Sequence, residues 1–313
     1  MTKSREGGIT WLASYPKSGN TWVRALLSAY LRDSPLNLNA MDWVTGDSER
    51  WAYQLVSPQP VGGLSLSDQM LIRGAALATI TAARGWKKPF LLKTHFADVQ
   101  IDDIRTIPLA LTSGAFYVVR DPRAVAVSYS NHFNASLWDA ASALSDTRRC
   151  IVDAGYPTHF LSSWSKHVRS WLDEKDFQVT LIRYERLRED PAGVLRGVLR
   201  RLDFVVDELR IERAVAECEF ERMQKQEKER GFQEAPPERT FFRDGGRTHW
   251  SDVLEPEQAA YIERDHWEMM HRLGYIDDDT AALRESEGPG WNADGYTSKP
   301  GADDSPGWGV ESV

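Results

Sequence analysis

Cysteine is scarce in this 313-residue chain: Cys150 and Cys218 are the only two. Two thiols in so long a chain build no disulfide framework, which excludes a cystine-stapled fold and favours a reducing cytosol. Long apolar runs are missing too. No stretch reaches the length of a bilayer span, and Met1 to Gly8 is polar, with no apolar signal core. A cytoplasmic location with no membrane partner is therefore expected. Positive charge is in deficit, with 38 Lys and Arg against 46 Asp and Glu, a net charge of −8. That balance argues against a nucleic-acid partner, which favours a basic surface. A small anionic ligand stays open, because a local group of Lys and Arg decides it. No His/Cys/Asp/Glu cluster has ligand spacing, so no metal is expected. The common nucleotide loop, Gly, four residues, then Gly-Lys-Ser/Thr, is absent as well.

What is present reads as α/β. Apolar runs at 9–15, 90–95, 115–120 and 179–184 read as strands. They are near-continuous, as parallel strands buried on both faces must be. Helical patterns alternate with them at 20–32, 67–83, 122–133, 158–174, 191–202, 207–217 and 256–273, with Ser67 the candidate N-cap of the second. The alternation predicts a three-layer α/β/α domain with a central parallel sheet. Residues 33–88 are looser, with several Pro and Gly. Residues 225–248 are charge-rich and read as a long loop or lid. The domain is placed at 1–276, and 277–313, rich in Gly, Pro, Ser and acid, as a flexible tail.

The segment Tyr15-Pro16-Lys17-Ser18-Gly19-Asn20-Thr21-Trp22 joins the first strand to the first helix. A strand, a Lys/Gly turn and a helix start make an anion cradle. Unpaired N–H groups and the helix dipole face the ligand, Gly19 permits close backbone approach, and Lys17 adds a point charge. Lys93-Thr94-His95 ends the second strand run, where side chains face the ligand crevice of a parallel sheet. An imidazole can draw the proton from a hydroxyl, and a lysine can offset charge on a leaving group. Arg120 ends the third strand run and Ser128 follows eight residues later on a helix.

In this order the segments resemble the cytosolic-type sulfotransferase family, which uses 3′-phosphoadenosine 5′-phosphosulfate (PAPS) as sulfuryl donor. The resemblance covers about residues 9–275 and implies the P-loop-like sulfotransferase fold. It implies a 5′-phosphosulfate site at Lys17, Ser18, Gly19, Asn20, Thr21 and Trp22, and catalytic roles for His95, Lys17 and Lys93. It further implies a 3′-phosphate site at Arg120 and Ser128, and adenine contacts from Trp22, Tyr184, Phe220 and Met223. Arg243-Asp244-Gly245-Gly246-Arg247-Thr248-His249-Trp250 is similar to the family's Arg-x-Gly-x-x-Gly-Asp-Trp, with Arg243 and Gly245 closing over the 3′-phosphate. Thr248 and His249 depart from that pattern. So does Asp244, whose charge is unfavourable beside a phosphate unless Arg247 offsets it. The dimerisation stretch of mammalian members is not matched at Ser251 to Pro256, so the oligomeric state stays open.

The activity implied is sulfuryl transfer to a hydroxyl of a small molecule. A nucleotide kinase on a related fold, and a non-catalytic nucleotide-binding or interaction protein on the same fold, are the alternatives. The acceptor pocket is expected from 33–88 and 130–158. Trp43, Trp51, Tyr53, Trp86, His132, Phe133, Trp138 and Tyr156 suggest aromatic walls and a phenolic or glycosylated natural product.

Overall fold

The computed structural model describes residues 8–277 save 33, 85–89, 154, 237 and 246. Trp86, Gly246 and the tail from 278 lie outside the described residues. The strands are β1 (Ile9–Ser14), β2 (Val44–Gly46), β3 (Phe90–Thr94), β4 (Gln100–Ile101), β5 (Ile104–Arg105), β6 (Thr112–Val119), β7 (Cys150–Ile151), β8 (His159–Phe160) and β9 (Val179–Arg183). The helices are α1 (Asn20–Arg32), α2 (Arg50–Val56), α3 (Leu66–Ala83), α4 (Pro122–Phe133), α5 (Leu137–Ser145), α6 (Trp164–Leu172), α7 (Tyr184–Glu189), α8 (Pro191–Arg201), α9 (Glu208–Glu217), α10 (Phe220–Arg230) and α11 (Pro256–Arg272).

Five strands form one parallel sheet in the order β2-β3-β1-β6-β9, and β4–β5 and β7–β8 are antiparallel ribbons. Side chains alternate across the sheet. Trp11, Ala13, Leu92, Tyr117 and Val119 pack into the layer of α3, α4, α5, α6 and α11. Leu12, Leu91, Phe116, Val118 and Ile182 pack into the layer of α1, α8 and α9. Both sheet faces are buried, which is why the strands carry so little polar alternation. The architecture is the expected three-layer α/β/α. Three of the tryptophans are core: Trp11, Trp164 and Trp171 are fully buried. Two of those indoles meet partners, Thr112 Oγ1 at 2.9 Å from Trp11 and the Phe96 carbonyl at 3.0 Å from Trp171.

The local differences have physical causes. The helix expected at 158–174 begins at Trp164, because Ser163 caps it by accepting from the Lys166 amide and His159–Phe160 pairs as β8. The cap of α3 is Ser65, whose hydroxyl accepts from the Asp68 amide, and not Ser67. The charge-rich stretch expected as loop from 225 is helical through Arg230. Its charges other than Glu227 ride on the exposed side of α10, and Gly231 at φ 69° ends that helix. The loose region 33–88 contains β2 and α2, too short for a periodic signal.

From the carboxyl edge the chain leaves β1 towards β2 on one side and leaves its neighbour β6 towards β9 on the other. A crevice opens at such a switch point. Four neighbouring strands deliver their C-terminal residues to it.

Candidate active site

A cavity of about 500 Å³ lies at that edge. Lys17, Gly19, Asn20, Thr21 and Trp22 reach it from the turn after β1. Lys93 and His95 come from β3, Arg120 from β6, and Tyr184 from the residue following β9. Ser128 comes from α4, Phe220 and Met223 from α10, and Arg243 and Gly245 from the loop before α11. Of the catalytic and donor-site residues singled out in the sequence, Ser18 alone does not line it. Ser18 is buried beneath the turn, and its hydroxyl has no partner.

The turn is shaped for close approach. Lys17 sits at φ 67° and Gly19 at φ 104°. A Cβ on Gly19 would lie 2.5 Å from the Tyr184 ring, so only glycine fits. Asn20 stitches the helix start to the strand, donating to the Leu12 carbonyl at 3.0 Å and to Ser14 Oγ at 3.3 Å. The first amides of α1 have no carbonyl behind them in the helix.

The cavity is crowded with cations. Burial, then Arg120 and Lys93, push the Lys17 ammonium down to about 7. Its Nζ stands 3.9 Å over the Phe241 ring. Burial also lowers Lys93, with Glu234 acting against it. Arg120 stacks 4.3 Å over the Tyr184 ring, and its Nη1 donates to the Lys17 carbonyl at 3.2 Å. The Arg120 Nε is buried with no partner. The adjacent Asp121 binds Arg123 at 2.7 Å and caps α4. Buried polar atoms without partners are rare in folded proteins. Here three, Ser18 Oγ, Asn20 Oδ1 and Arg120 Nε, belong to the residues read as phosphate ligands, and of these Ser18 Oγ and Arg120 Nε can donate to a phosphate oxygen.

His95 holds one tautomer. Its Nδ1 lies 2.8 Å from the Ser14 carbonyl, which can only accept, so Nδ1 carries the proton and Nε2 keeps its lone pair. Burial and then Lys93 hold the imidazole well below its usual range. Beneath it, His167 donates from Nε2 to the His95 carbonyl at 3.0 Å, while its Nδ1 accepts from the Tyr117 hydroxyl at 2.8 Å. A buried pair backs the same strand end. Asp47 meets Arg73 at 2.5 Å with both side chains almost wholly buried. It accepts from Thr94 Oγ1 at 2.6 Å, and its amide donates to the Lys93 carbonyl at 3.0 Å. Burial alone would raise the Asp47 carboxyl; Arg73 with the His159 and Thr94 hydrogen bonds holds it well below the carboxylate range.

Several sequence expectations meet a different outcome. Tyr53 is fully buried and accepts from Arg73 Nη1 at 2.9 Å, so it is core, not pocket wall. Trp43, Trp51, Trp138 and Tyr156 are exposed and do not line the cavity. From 130–158 the wall takes Asn131, His132, Phe133 and the edge Ile151–Asp153; none of the described residues of 33–88 lines it. Arg247 does not offset Asp244. It pairs with Glu221, while Asp244 accepts from the Thr248 amide at 2.9 Å and from its hydroxyl at 3.1 Å. The two departures therefore form one clasp inside the loop. His249 is exposed and bonded to Ser251 at 2.8 Å.

Sequence reading missed Glu227, Glu234 and Phe241. Glu227 is buried and accepts from the successive amides of Phe241 and Phe242 at 2.5 and 2.9 Å, which seats the loop. Its signal was lost among the charges of 225–248.

A sulfotransferase domain model matches residues 9–274. Sulfotransferase 1B1 of Mus musculus is 26% identical over 233 residues, 71% of this chain and 67% of that protein. Cytosolic sulfotransferase 16 of Arabidopsis thaliana is 24% identical over 272 residues, 80% of this chain and 73% of that protein. Among solved structures, retinol dehydratase in complex with androsterone and the inactive cofactor PAP superposes with a TM-score of 0.56 at 20% identity. It covers 84% of this chain and 81% of that one. A mouse sulfotransferase complexed with PAP gives 0.56 at 17% identity, covering 91% and 90%. With a four-strand anion crevice and a family model spanning nearly all described residues, the chain belongs to the sulfotransferase domain family.

Proposed function

We propose that this sulfotransferase moves the sulfuryl group of PAPS to a hydroxyl of a small molecule, with His95 as base and Lys17 and Lys93 at the reacting centre. The single observation that carries the reading is the meeting of Lys17, Lys93, His95 and Arg120 in one cavity, with Ser18 Oγ and Arg120 Nε otherwise unpartnered.

The donor brings several negative charges, and these residues fit them. The turn amides, Ser18 and Lys17 would hold the 5′-phosphosulfate. Arg120, Ser128 and Arg243 would hold the 3′-phosphate. Trp22, Tyr184, Phe220 and Met223 offer flat apolar walls for adenine. Gly245 is needed where a Cβ would meet the Phe220 ring at 2.6 Å.

The reaction then balances simply. His95 Nε2 takes the acceptor's proton, and the acceptor oxygen bonds to sulfur. The bond from sulfur to the bridging oxygen breaks, leaving its electron pair on the phosphate of adenosine 3′,5′-bisphosphate (PAP). Lys17 and Lys93 stabilise that developing charge. A histidine base works best with its pKa near the working pH. The anionic donor beside it raises the depressed imidazole towards that range. Positioning and electrostatics supply the rest, as in phosphoryl transfer. The acceptor side, lined by His132, Phe133, Ile151, Thr240 and Phe241, suits an acceptor with an apolar or aromatic body, such as a phenolic or glycosylated natural product. A cytoplasmic setting suits the two free thiols.

Calorimetric titration with PAP, ADP and 5′-AMP tests the donor site. Tight binding of PAP alone supports it. Equal or stronger binding of ADP overturns it and favours a kinase, and binding of none leaves a non-catalytic scaffold.

A further inference from the structure

Three acidic residues, Asp153, Glu234 and Asp244, line a site made for anions, and Glu234 is the one that meets the cations Lys93 and Arg24. Glu234 lies on the turn that follows α10, a turn closed by the Ala235 amide donating to the Phe232 carbonyl at 3.0 Å. The neighbouring Gln233 amide donates to Asn39 Oδ1 at 2.9 Å, and Asn39 Nδ2 donates to the Gly231 carbonyl at 3.1 Å. The backbone that carries Glu234 is therefore pinned. Its two oxygens have unequal partners. Oε1 meets the buried Arg24 at 2.5 Å. Oε2 lies 3.6 Å from Lys93 Nζ and 3.5 Å from Thr21 Oγ1. The first is a hydrogen-bonded ion pair. The second contact is longer than a normal charged hydrogen bond, and so easily exchanged.

We propose that Glu234 competes with the sulfuryl group for Lys93, holding the lysine when no sulfuryl is present and yielding it when the donor arrives. The inference rests on the reading that Lys93 faces the sulfuryl end of PAPS. Arg24 keeps the carboxylate in place throughout, so Lys93 changes partner and Glu234 need not move away. Three consequences follow from charge alone. Without the sulfuryl group, as in PAP, Lys93 and Glu234 neutralise each other. With it, Lys93 turns to the sulfuryl oxygens and Glu234 is left facing them across a short gap. After transfer, the returning ion pair helps to expel the newly sulfated acceptor. Glu234 thus discriminates by weakening the hold on anything that carries a sulfuryl group at Lys93.

The test compares PAPS and PAP binding by calorimetry in the full chain, wild type against Glu234→Gln. Glu208→Gln, on the exposed start of α9, makes the same change in net charge far from the cavity. Glu234→Gln is expected to tighten PAPS about tenfold and PAP less than about twofold, while Glu208→Gln alters neither. Should Glu234→Gln not fold, Glu234→Asp draws the carboxylate back from Lys93 and is expected to shift the same ratio in the same direction, by less. Equal tightening of PAPS and PAP would mean a general field and would overturn the proposal, as would no change in either. If wild type binds neither nucleotide, the donor reading itself fails and the proposal with it.

Discussion

The ion pair between Asp47 and Arg73 sits directly behind the strand end that carries Lys93 and His95, and removing its charge has a calculable effect. Arg73 uses its whole guanidinium: Nε donates to the Thr106 carbonyl at 2.7 Å, Nη1 to Tyr53 and Nη2 to Asp47, with Phe96 stacked at 3.9 Å. Asp47→Asn keeps the shape and most hydrogen bonds but leaves that cation buried without a counter-charge. Breaking a buried pair from one side costs about 3 to 5 kcal/mol. At roughly 2 to 4 °C per kcal/mol for a domain near this size, Tm should fall by about 6 to 20 °C. Scanning calorimetry at pH 7 reads this. Because Thr94 also loses its charged acceptor, kcat should fall well below wild type at temperatures where the variant is folded, with PAP affinity changed much less. A fall in Tm under about 3 °C would refute the reasoning, since it would mean that Arg73 finds water or another anion.

Other expectations follow from the same geometry. His95→Ala should lower kcat by about 10²- to 10⁴-fold with PAP affinity retained, and unchanged turnover would remove His95 from the base role. Gly19→Ala should weaken PAP binding at least about tenfold, because φ 104° costs roughly 1 to 3 kcal/mol for an L residue and the methyl strikes Tyr184; calorimetry checks it. Acid should destabilise the fold through His167 and His266, whose burial lowers both to about 4. Their folded pKa lies below the unfolded value of about 6.5, so the unfolded chain takes up their protons first. Stability from the pair is full above pH 6.5 and is lost as pH falls towards 4. Between pH 7 and pH 5 the loss is about 4 kcal/mol, readable by urea denaturation at the two values.

The lining of the cavity was legible in the sequence because many of its residues sit at strand ends, where each motif has a fixed offset from an apolar run. Lys93 and His95 follow a strand, and Arg120 to Ser128 spans a strand end and the helix after it. Such local relations survive in one dimension. What was missed lies in relations that sequence distance hides. Glu234 reaches Arg24 across 210 positions, and no spacing rule links them. Trp43 and Trp51 belonged to segments that fall between donor motifs, but chain order does not decide which wall faces the cavity. Tyr53 was read as a wall because an aromatic carries no mark of burial; its partner Arg73, an arginine inside an apolar helix pattern, was the overlooked clue. Short elements such as β2 and α2 carry too few residues for any period to show.

The buried Glu227 carboxylate, tied to two successive loop amides, bears on how fast the donor can associate. A loop that must order around its ligand adds a slow step after encounter and sacrifices part of the affinity to lost chain entropy. Here the segment at Phe241 and Phe242 is already clamped in the folded chain. Donor association should then proceed in one exponential phase whose rate rises linearly with nucleotide concentration. Glu227→Gln, by loosening both amides, should bring in a second, concentration-independent phase.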